Sequence, residues 1–162
     1  MDPNDLEYRR ATRADAPRMA ALVAEGWETY RAFGPPGWEP PTAEDETAFA
    51  ERVLAMPSGW GLLAEDGSAQ LAGHVGWHAG SDGRRPADEP GLAHLWQLFV
   101  RRDWWGSGLA AKLQAAGLQA AVDSGFQTIR LFTPADHGRG RRSMSARGGR
   151  CRSSRFSTRR SA

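Results

Sequence analysis

LWQLFVRRDWWGSGLAAKL, residues 95–113, reads as a strand, a glycine turn and the start of a helix in direct succession. Gly106 and Gly108 let the backbone turn tightly and approach a ligand closely. The first N–H groups of the following helix have no partner inside the helix, and the helix dipole is positive at this end. The stretch therefore predicts a site for a phosphate or a pyrophosphate, with a plain structural turn as the alternative.

The segment around the two glycines resembles a known cofactor-binding segment. Trp105 to Ala110 is similar to the Arg/Gln-x-x-Gly-x-Gly/Ala motif that the GNAT superfamily of N-acetyltransferases places between an apolar strand and a helix. Trp105 stands where the family usually has Arg or Gln, and the pyrophosphate contacts of the family come mainly from backbone N–H groups. The resemblance implies acetyl-CoA as cosubstrate, with the strand contacting its pantetheine amides. The cofactor-binding residues that it implies are Leu98, Phe99, Val100, Trp105, Gly106, Ser107, Gly108, Leu109 and Ala110.

Apolar periodicity and capping signals predict the other elements of the domain. Asp15 and Thr42 are expected to cap two helices, and Gly125 to follow the end of a third. The predicted order is a strand over 7–12, helices from Asp15 and Thr42, a hairpin over 60–77, a strand over 92–100, a helix over 109–123 and a strand over 128–133. This order resembles the GNAT fold over residues 6–137. The resemblance implies an α/β (α+β) architecture with a mixed, mostly antiparallel central sheet flanked by helices.

Composition limits the classes of function. The 162 residues suffice for one domain, and a single cysteine, Cys151, allows neither an internal disulfide nor a cysteine-based zinc or iron–sulfur site. Residues 138–162 hold nine Arg and no acid, so residues 1–137 carry 12 Lys and Arg against 19 Asp and Glu, a net charge of −7. This negative charge disfavours binding of nucleic acid by residues 1–137 and favours binding of a cationic amine. No apolar run has the length of a signal or a membrane span, so we expect a cytoplasmic protein without membrane contact.

The chain changes character beyond residue 137. Residues 1–137 are predicted to form a GNAT-like domain that is incomplete at its C-terminal end, and residues 138–162 an Arg-rich, disordered tail. A basic tail of this kind can also bind a nucleic acid or an acidic protein partner. A third hypothesis is a shifted reading frame near residues 134–142. Permitted codons for 142–149, read from the third base of each, can encode Phe-Tyr-Glu-Arg-Glu-Gly-Trp, which resembles the family's missing helix.

The altered C-terminus bears on activity. In the resembled family the helix after the fifth strand often supplies a tyrosine near the thioester sulfur, and the only tyrosines here are Tyr8 and Tyr30. The leading hypothesis is an N-acetyltransferase acting on a primary amine of a small molecule or a protein. The alternatives are a noncatalytic acyl-CoA-binding or degenerate domain, and an interaction protein that uses its basic tail. An open sheet edge at this end would also favour pairing with a second copy, as a homodimer.

His94 is the candidate catalytic residue. By strict alternation along the strand it shares a face with Trp96 and Leu98, whereas Gln97 points to the other face. An imidazole has a suitable pKa to accept an ammonium proton through water, and several enzymes of the resembled family carry a carboxylate base at this place. A structural histidine is the alternative interpretation.

Aromatic residues on the first helix and the loop after it are the candidates for binding the acceptor. Trp27, Tyr30 and Trp38, with Phe33 and the carboxylates of 39–46, lie in the region that borders the acceptor pocket in the resembled fold. Aromatic rings and carboxylates together hold a cationic amine by cation–π and ionic attraction. The alternative is a packing stripe beside a solvated acidic face.

No metal site is expected from the sequence. His74 and His78 share a strand face, but four residues of strand separate them by about 13 Å, which is too far to ligate one ion. His137 is given no role.

Overall fold

The architecture is a five-stranded sheet with helices on both faces. It is seen in a computed structural model that describes residues 1–132 except Phe33, Pro35 and 81–90. The predictions for Phe33, Thr133, His137, the loop over 81–86 and the change of character after residue 137 lie outside the described residues. No helix of the described part is long and apolar enough to cross a bilayer.

The order of elements and the sheet topology confirm the predicted fold. The strands follow one another across the sheet in chain order; β1 to β4 are antiparallel neighbours, and β5 joins β4 in parallel. The elements are β1 (Glu7–Arg10), α1 (Ala16–Tyr30), α2 (Ala43–Leu54), β2 (Trp60–Glu65), β3 (Leu71–Ala79), β4 (Leu92–Val100), α3 (Leu109–Asp123) and β5 (Thr128–Leu131).

The predicted capping residues stand at the helix ends, but Asp15 does not cap α1 with its side chain, which instead accepts from the N–H and the hydroxyl of Thr12. Asp15 precedes α1, and a proline stands in the first turn of that helix, where its missing N–H is not needed. Thr42 and Asp45 form a reciprocal capping box at the start of α2. Gly125 follows α3 with a φ of 86°, a left-handed conformation that favours glycine.

Two apolar layers cover the sheet, and they define its faces. On the α3 face, Leu109 and Leu113 are fully buried against Val75 and Leu95. On the opposite α1/α2 face, Met19 of α1 packs with strand residues that include Leu63. Burial of large aliphatic side chains in these layers is the main force holding the helices to the sheet.

A β-bulge in β4 overturns part of the predicted strand pattern. Gly76 pairs with Gln97, but the next residue of β3, Trp77, pairs with Leu95, so Trp96 is an extra residue. One extra residue reverses the alternation beyond it. As a result Leu98 lies on the α3 face, while Gln97 lies on the α1/α2 face with His94. The prediction that His94 shares a face with Leu98 and not with Gln97 was therefore wrong.

A cluster of four charged side chains joins β1, β2 and α1. The guanidinium of Arg9 contacts Glu65 through Nε at 2.6 Å and through Nη2 at 3.2 Å. The same group contacts the carboxylate of Asp15 at 2.6 and 3.0 Å, and Arg18 reaches Glu65 from α1 at 2.6 Å. Hydrogen bonds from Arg9 hold the pKa of Asp15 well below its usual value.

Candidate active site

The glycine turn between β4 and α3 has the predicted backbone geometry. Gly106 and Gly108 have φ values of 85° and 90°, which side-chain-bearing residues rarely adopt. A Cβ built at either position would meet no atom within 4 Å, so the space in front of the turn is open. Trp104 is buried and anchors the turn, and the Ser107 hydroxyl donates to its carbonyl at 2.7 Å.

The start of α3 presents backbone N–H groups toward this space. The N–H of Leu109 donates to the Ser107 hydroxyl at 3.2 Å, and regular helical bonding begins with Lys112, which donates to the Gly108 carbonyl at 3.1 Å. Within the described residues, the N–H groups of Gly106 and Ala110 have no backbone acceptor. Donors at the positive end of a helix attract an anion.

The C-terminal half of β4 offers a second row of backbone groups. The N–H of Arg101 donates to the Ala72 carbonyl at 2.8 Å, and antiparallel pairs alternate between bonded and non-bonded. The backbone of Phe99 therefore bonds to β3, while that of Leu98 and Val100 points to the opposite edge. In the described part of the chain β5 pairs only with residues 92–95, so this edge is open where it meets the glycine turn.

One group on this open edge already has a partner. The indole N–H of Trp105 donates to the Val100 carbonyl at 2.9 Å, which folds the partly exposed ring back over the end of β4. The groups left for an extended ligand are the N–H and carbonyl of Leu98 and the N–H of Val100. Phe99, whose backbone bonds to β3, can contribute its ring.

The three predicted acceptor residues lie together, with Phe99 as a fourth ring. Trp27 is central: its ring centroid is 4.9 Å from Tyr30, 5.9 Å from Trp38 and 5.9 Å from Phe99. Gly26 makes this possible, because a Cβ there would lie 2.4 Å from the Phe99 ring. We call these four rings the aromatic cluster. It sits on the α1/α2 face beside the open half of β4.

A buried polar chain runs beneath the aromatic cluster. The indole of Trp27 donates to Oε1 of Glu46 at 2.9 Å, and the amide of Gln97 donates to Oε2 of the same carboxylate at 2.7 Å. The Gln97 carbonyl is 3.0 Å from Nε2 of His74. Because that carbonyl can only accept, Nε2 of His74 carries the hydrogen. Glu46 is only 6% exposed, so α1, α2 and β4 meet at a buried carboxylate.

Burial shifts the pKa values of two side chains in the buried polar chain, Glu46 and His74. It raises the pKa of Glu46, against the hydrogen bonds from Trp27 and Gln97 that favour the ionised form. Burial lowers the pKa of His74 to about 4, so this imidazole is neutral at physiological pH. A carboxylate with a raised pKa can take up a proton near neutral pH more readily than an exposed one.

His94 lies on the same face, beyond the bulge. Burial, followed by the charges of His78 and Arg130, lowers the pKa of His94 to about 4. In the described part of the chain its Nδ1 is buried without a hydrogen-bond partner. Its catalytic role stays a prediction. The described residues contain no group of three His, Cys, Asp or Glu side chains that could hold a metal ion.

Sequence reasoning counted Glu46 only among the carboxylates of 39–46 and missed its burial, and it placed Gln97 on the wrong face, for identifiable reasons. Glu46 belongs to an acidic run at the start of α2, which suggests a solvated face. Its spacing to Ala50 and Val53 is nevertheless that of one helix stripe, and all three are buried. This i, i+4, i+7 pattern could have identified it. Gln97 carried no such signal, since the bulge that turns it inward follows from pairing with β3.

A family model described as "Acetyltransferase (GNAT) family" matches residues 20–144. The match spans the aromatic cluster, the buried polar chain and the glycine turn. No curated protein matches the sequence.

Several solved structures share the fold, and two of the three described here are named as acetyltransferases. A point variant of the BH1408 protein from Bacillus halodurans is 15% identical, with a TM-score of 0.76, and the match covers 94% of this chain and 98% of that chain. An aminoglycoside acetyltransferase from an uncultured soil metagenomic sample, in complex with sisomicin, is 15% identical over 98% and 97% of the two chains, with a TM-score of 0.68. A ribosomal-protein-alanine N-acetyltransferase from Brucella melitensis biovar Abortus 2308 is 18% identical over 95% and 98%, with a TM-score of 0.62. At these identities the likeness shows the fold alone.

Proposed function

The chain belongs to the GNAT acetyltransferase family, and on that basis we propose that it transfers the acetyl group of acetyl-CoA to a primary amine of a small molecule or a protein. The observation that carries the proposal is the continuity of two rows of backbone groups. The open edge of β4 at Leu98 and Val100 leads directly into the free N–H groups of the glycine turn. One row suits the amides of an extended arm, and the other suits a pyrophosphate.

The residues of the turn and of β4 suit the two parts of acetyl-CoA. Gly106, Ser107, Gly108, Leu109 and Ala110 would hold the pyrophosphate, with Trp105 alongside, and Leu98, Phe99 and Val100 would hold the pantetheine arm. The open space at both glycines supports this assignment, because a phosphate must approach the backbone closely. When bound, acetyl-CoA supplies an acetyl group activated as a thioester.

The aromatic cluster is proposed as the wall of the acceptor site. The rings of Trp27, Tyr30 and Trp38 would attract a cation, and the carboxylate of Glu46 adds negative charge behind them. The acidic body of the chain favours the approach of a cationic amine. Two of the similar structures carry names of amine-directed enzymes, one for aminoglycosides and one for a protein alanine, which supports the class of reaction.

The acceptor must lose a proton to become a nucleophile, and we propose Glu46 as the group that takes it, directly or through one water. The two hydrogen bonds to Glu46 leave each oxygen a further lone pair for this purpose. His94 is the second candidate. With a pKa near 4, its conjugate acid is strong and the neutral ring is a weak base for an ammonium group.

A noncatalytic acyl-CoA-binding domain is the second candidate function. The observation that favours it concerns the tyrosines: Tyr8 donates to the Pro3 carbonyl at 2.6 Å, and Tyr30 belongs to the aromatic cluster. The sequence has no tyrosine after β5, where the family often places one near the thioester sulfur. A domain boundary at 137/138, a cytoplasmic location and a homodimer also stay proposals.

Two measurements on the whole chain test the proposal. Titration calorimetry with acetyl-CoA reports binding, and thiol release with a panel of primary amines reports transfer. Binding with turnover supports the enzyme, whereas binding without turnover supports the noncatalytic domain. Absence of heat with both acetyl-CoA and CoA on folded protein would contradict both.

A further inference from the structure

Three basic side chains form a row across the sheet on the α1/α2 face. His78 of β3 pairs with His94 of β4, which pairs in turn with Arg130 of β5. The rings of His78 and His94 are 5.4 Å apart, and Phe132 lies 5.2 Å from His94. The Arg130 guanidinium lies 5.4 Å over the Phe132 ring. We call His78, His94 and Arg130 the basic row.

One edge of the Arg130 guanidinium lacks a hydrogen-bond acceptor within the described residues. Its Nε and Nη2 atoms are buried and have no hydrogen-bond partner within the described part of the chain, and the same holds for Nδ1 of His94. No carboxylate of the described residues forms an ion pair with Arg130. Buried donors without an acceptor are unfavourable and rare in native proteins. Because the Arg130 side chain as a whole is partly exposed, a small shift of its guanidinium would let a ligand supply the missing acceptor.

Arg9 shows what this edge binds in the same protein. Its Nε and Nη2 atoms, the same two nitrogens, hold the two oxygens of Glu65 at 2.6 and 3.2 Å. The planar fork of a guanidinium matches a carboxylate in this bidentate manner. The equivalent edge of Arg130 therefore has the shape and charge for a carboxylate.

We propose that the Nε–Nη2 edge of Arg130, with His94 beside it, binds a carboxylate of the acyl acceptor. The acceptors are then amines that also carry a carboxylate. This inference rests on the proposed acetyl transfer, because it names the acceptor of that reaction. It also gives His94 a binding role in place of a catalytic one.

The placement of the row relative to the buried polar chain fits such an acceptor. His94 and Gln97 lie on one face of β4 opposite His78 and Gly76 of β3, so the bulge leaves only about 7 Å between them, and Arg130 lies one strand further on. An amine near Glu46 and a carboxylate near Arg130 would be joined by a spacer of several atoms. ω-Amino acids and short peptides have this form, whereas the amine and carboxylate of a small α-amino acid lie too close together.

A binding experiment tests the site without need of turnover. Calorimetry on the whole chain compares 6-aminohexanoate with pentylamine, which lacks only the carboxylate, and with 5-aminopentylphosphonate. We expect 6-aminohexanoate to bind the wild type about tenfold more tightly than pentylamine, as a charge-assisted bidentate pair implies. Arg130→Gln should remove this advantage. Arg130→Lys, which keeps the charge and loses the fork, should reduce it.

Arg52→Gln is the matched control, because Arg52 also lies over a phenyl ring, 5.1 Å from Phe49, but is exposed on α2. It should bind 6-aminohexanoate as the wild type does. In turnover with 6-aminohexanoate as the acceptor, Arg130→Gln should raise KM and leave kcat and acetyl-CoA affinity unchanged.

Three results would overturn the assignment: equal binding of 6-aminohexanoate and pentylamine, unaltered binding by Arg130→Gln, or tighter binding of the phosphonate than of the carboxylate. Failure of the proposed function has a different signature, which is the absence of acetyl-CoA binding while 6-aminohexanoate still binds.

Discussion

At the scale of single residues, Glu46 is a carboxylate whose chemistry is set by its surroundings. Trp27 and Gln97 each donate to one of its oxygens, and burial favours its neutral form. Gln97 can also bond to a protonated Glu46. When its side-chain amide flips by 180°, the amide oxygen accepts from Glu46 and the amide nitrogen donates to His74. His74 then accepts at Nε2 in its other tautomer. The buried polar chain can therefore hold a proton at Glu46 without losing a hydrogen bond.

Replacing Glu46 with Gln should lower kcat/KM by about 100-fold, the usual contribution of a general base. The wild-type rate should fall as pH drops through the pKa of Glu46, which lies above its usual 4.5, because the protonated acid cannot accept a proton. This acid limb of the pH profile should vanish in Glu46→Gln. The same flip of the Gln97 amide satisfies the new glutamine side chain, so the variant should remain folded and show a cooperative thermal unfolding transition.

Glu44→Gln is the control for this charge change, because Glu44 is exposed in the same helical turn. It should keep the wild-type profile. If His94→Gln removed the acid limb and Glu46→Gln kept it, His94 would be the base and the role given to Glu46 would be wrong.

At the scale of elements, β4 shows what sequence can and cannot predict. Its bounds, Leu92–Val100, and those of α3, Leu109–Asp123, agree with the prediction, because alternation, glycines and caps are local signals. The bulge at Trp96 is not local. Gly76 has no side chain, and a Cβ there would lie 2.6 Å from the Trp96 indole, so the bulge depends on a residue of the neighbouring strand. For this reason the faces of Gln97 and Leu98 were predicted wrongly.

The glycine turn is tested by comparing two left-handed glycines. Gly108→Ala and Gly125→Ala place a Cβ at similar φ values, 90° and 86°, with no atom within 4 Å of either. Both should lose about 1 to 2 kcal/mol of stability from backbone strain. Only Gly108→Ala should weaken acetyl-CoA binding, by about tenfold or more, because its Cβ occupies space that the pyrophosphate needs. If calorimetry gave equal acetyl-CoA affinities for the two variants, the glycine turn would not be part of the cofactor site.

The packing of α1 on β4 gives a prediction with an unusual sign. Alanine in place of glycine inside a helix normally adds about 1 kcal/mol of stability. At Gly26 the new Cβ would lie 2.4 Å from the Phe99 ring, so Gly26→Ala should displace that ring and lower the melting temperature. The KM of the amine should rise as the aromatic cluster opens, with acetyl-CoA affinity unchanged. A higher melting temperature and an unaltered KM would show that the cluster does not shape the acceptor site.

At the scale of the whole molecule, charged groups join the edge of the sheet to the first helix. Asp15 accepts two hydrogen bonds from Arg9 and two from Thr12, which lower its pKa in the folded state. A lowered folded-state pKa stabilises the protein above the unfolded value of 3.8, and this stability is lost as pH falls through the folded value.

Asp15→Asn should therefore destabilise the protein by about 1 to 2 kcal/mol above about pH 5, a modest figure because Arg9 is partly exposed and screened by water. The difference from the wild type should shrink below pH 3.8. Urea denaturation at several pH values measures it, with the exposed Asp5→Asn as control. A difference that did not vary with pH would contradict the role of the Arg9 contacts.

The central claim is that the backbone amides of the glycine turn bind the pyrophosphate of acetyl-CoA, and amide correlation spectra recorded during a titration with CoA test it most directly. Gly106, Gly108 and Ala110 should show among the largest shifts, and Gly125, a left-handed glycine at the far end of α3, should show none. If the amides of Gly106 and Gly108 shifted no more than that of Gly125 while CoA bound, the cofactor would lie elsewhere and the account of this site would be wrong.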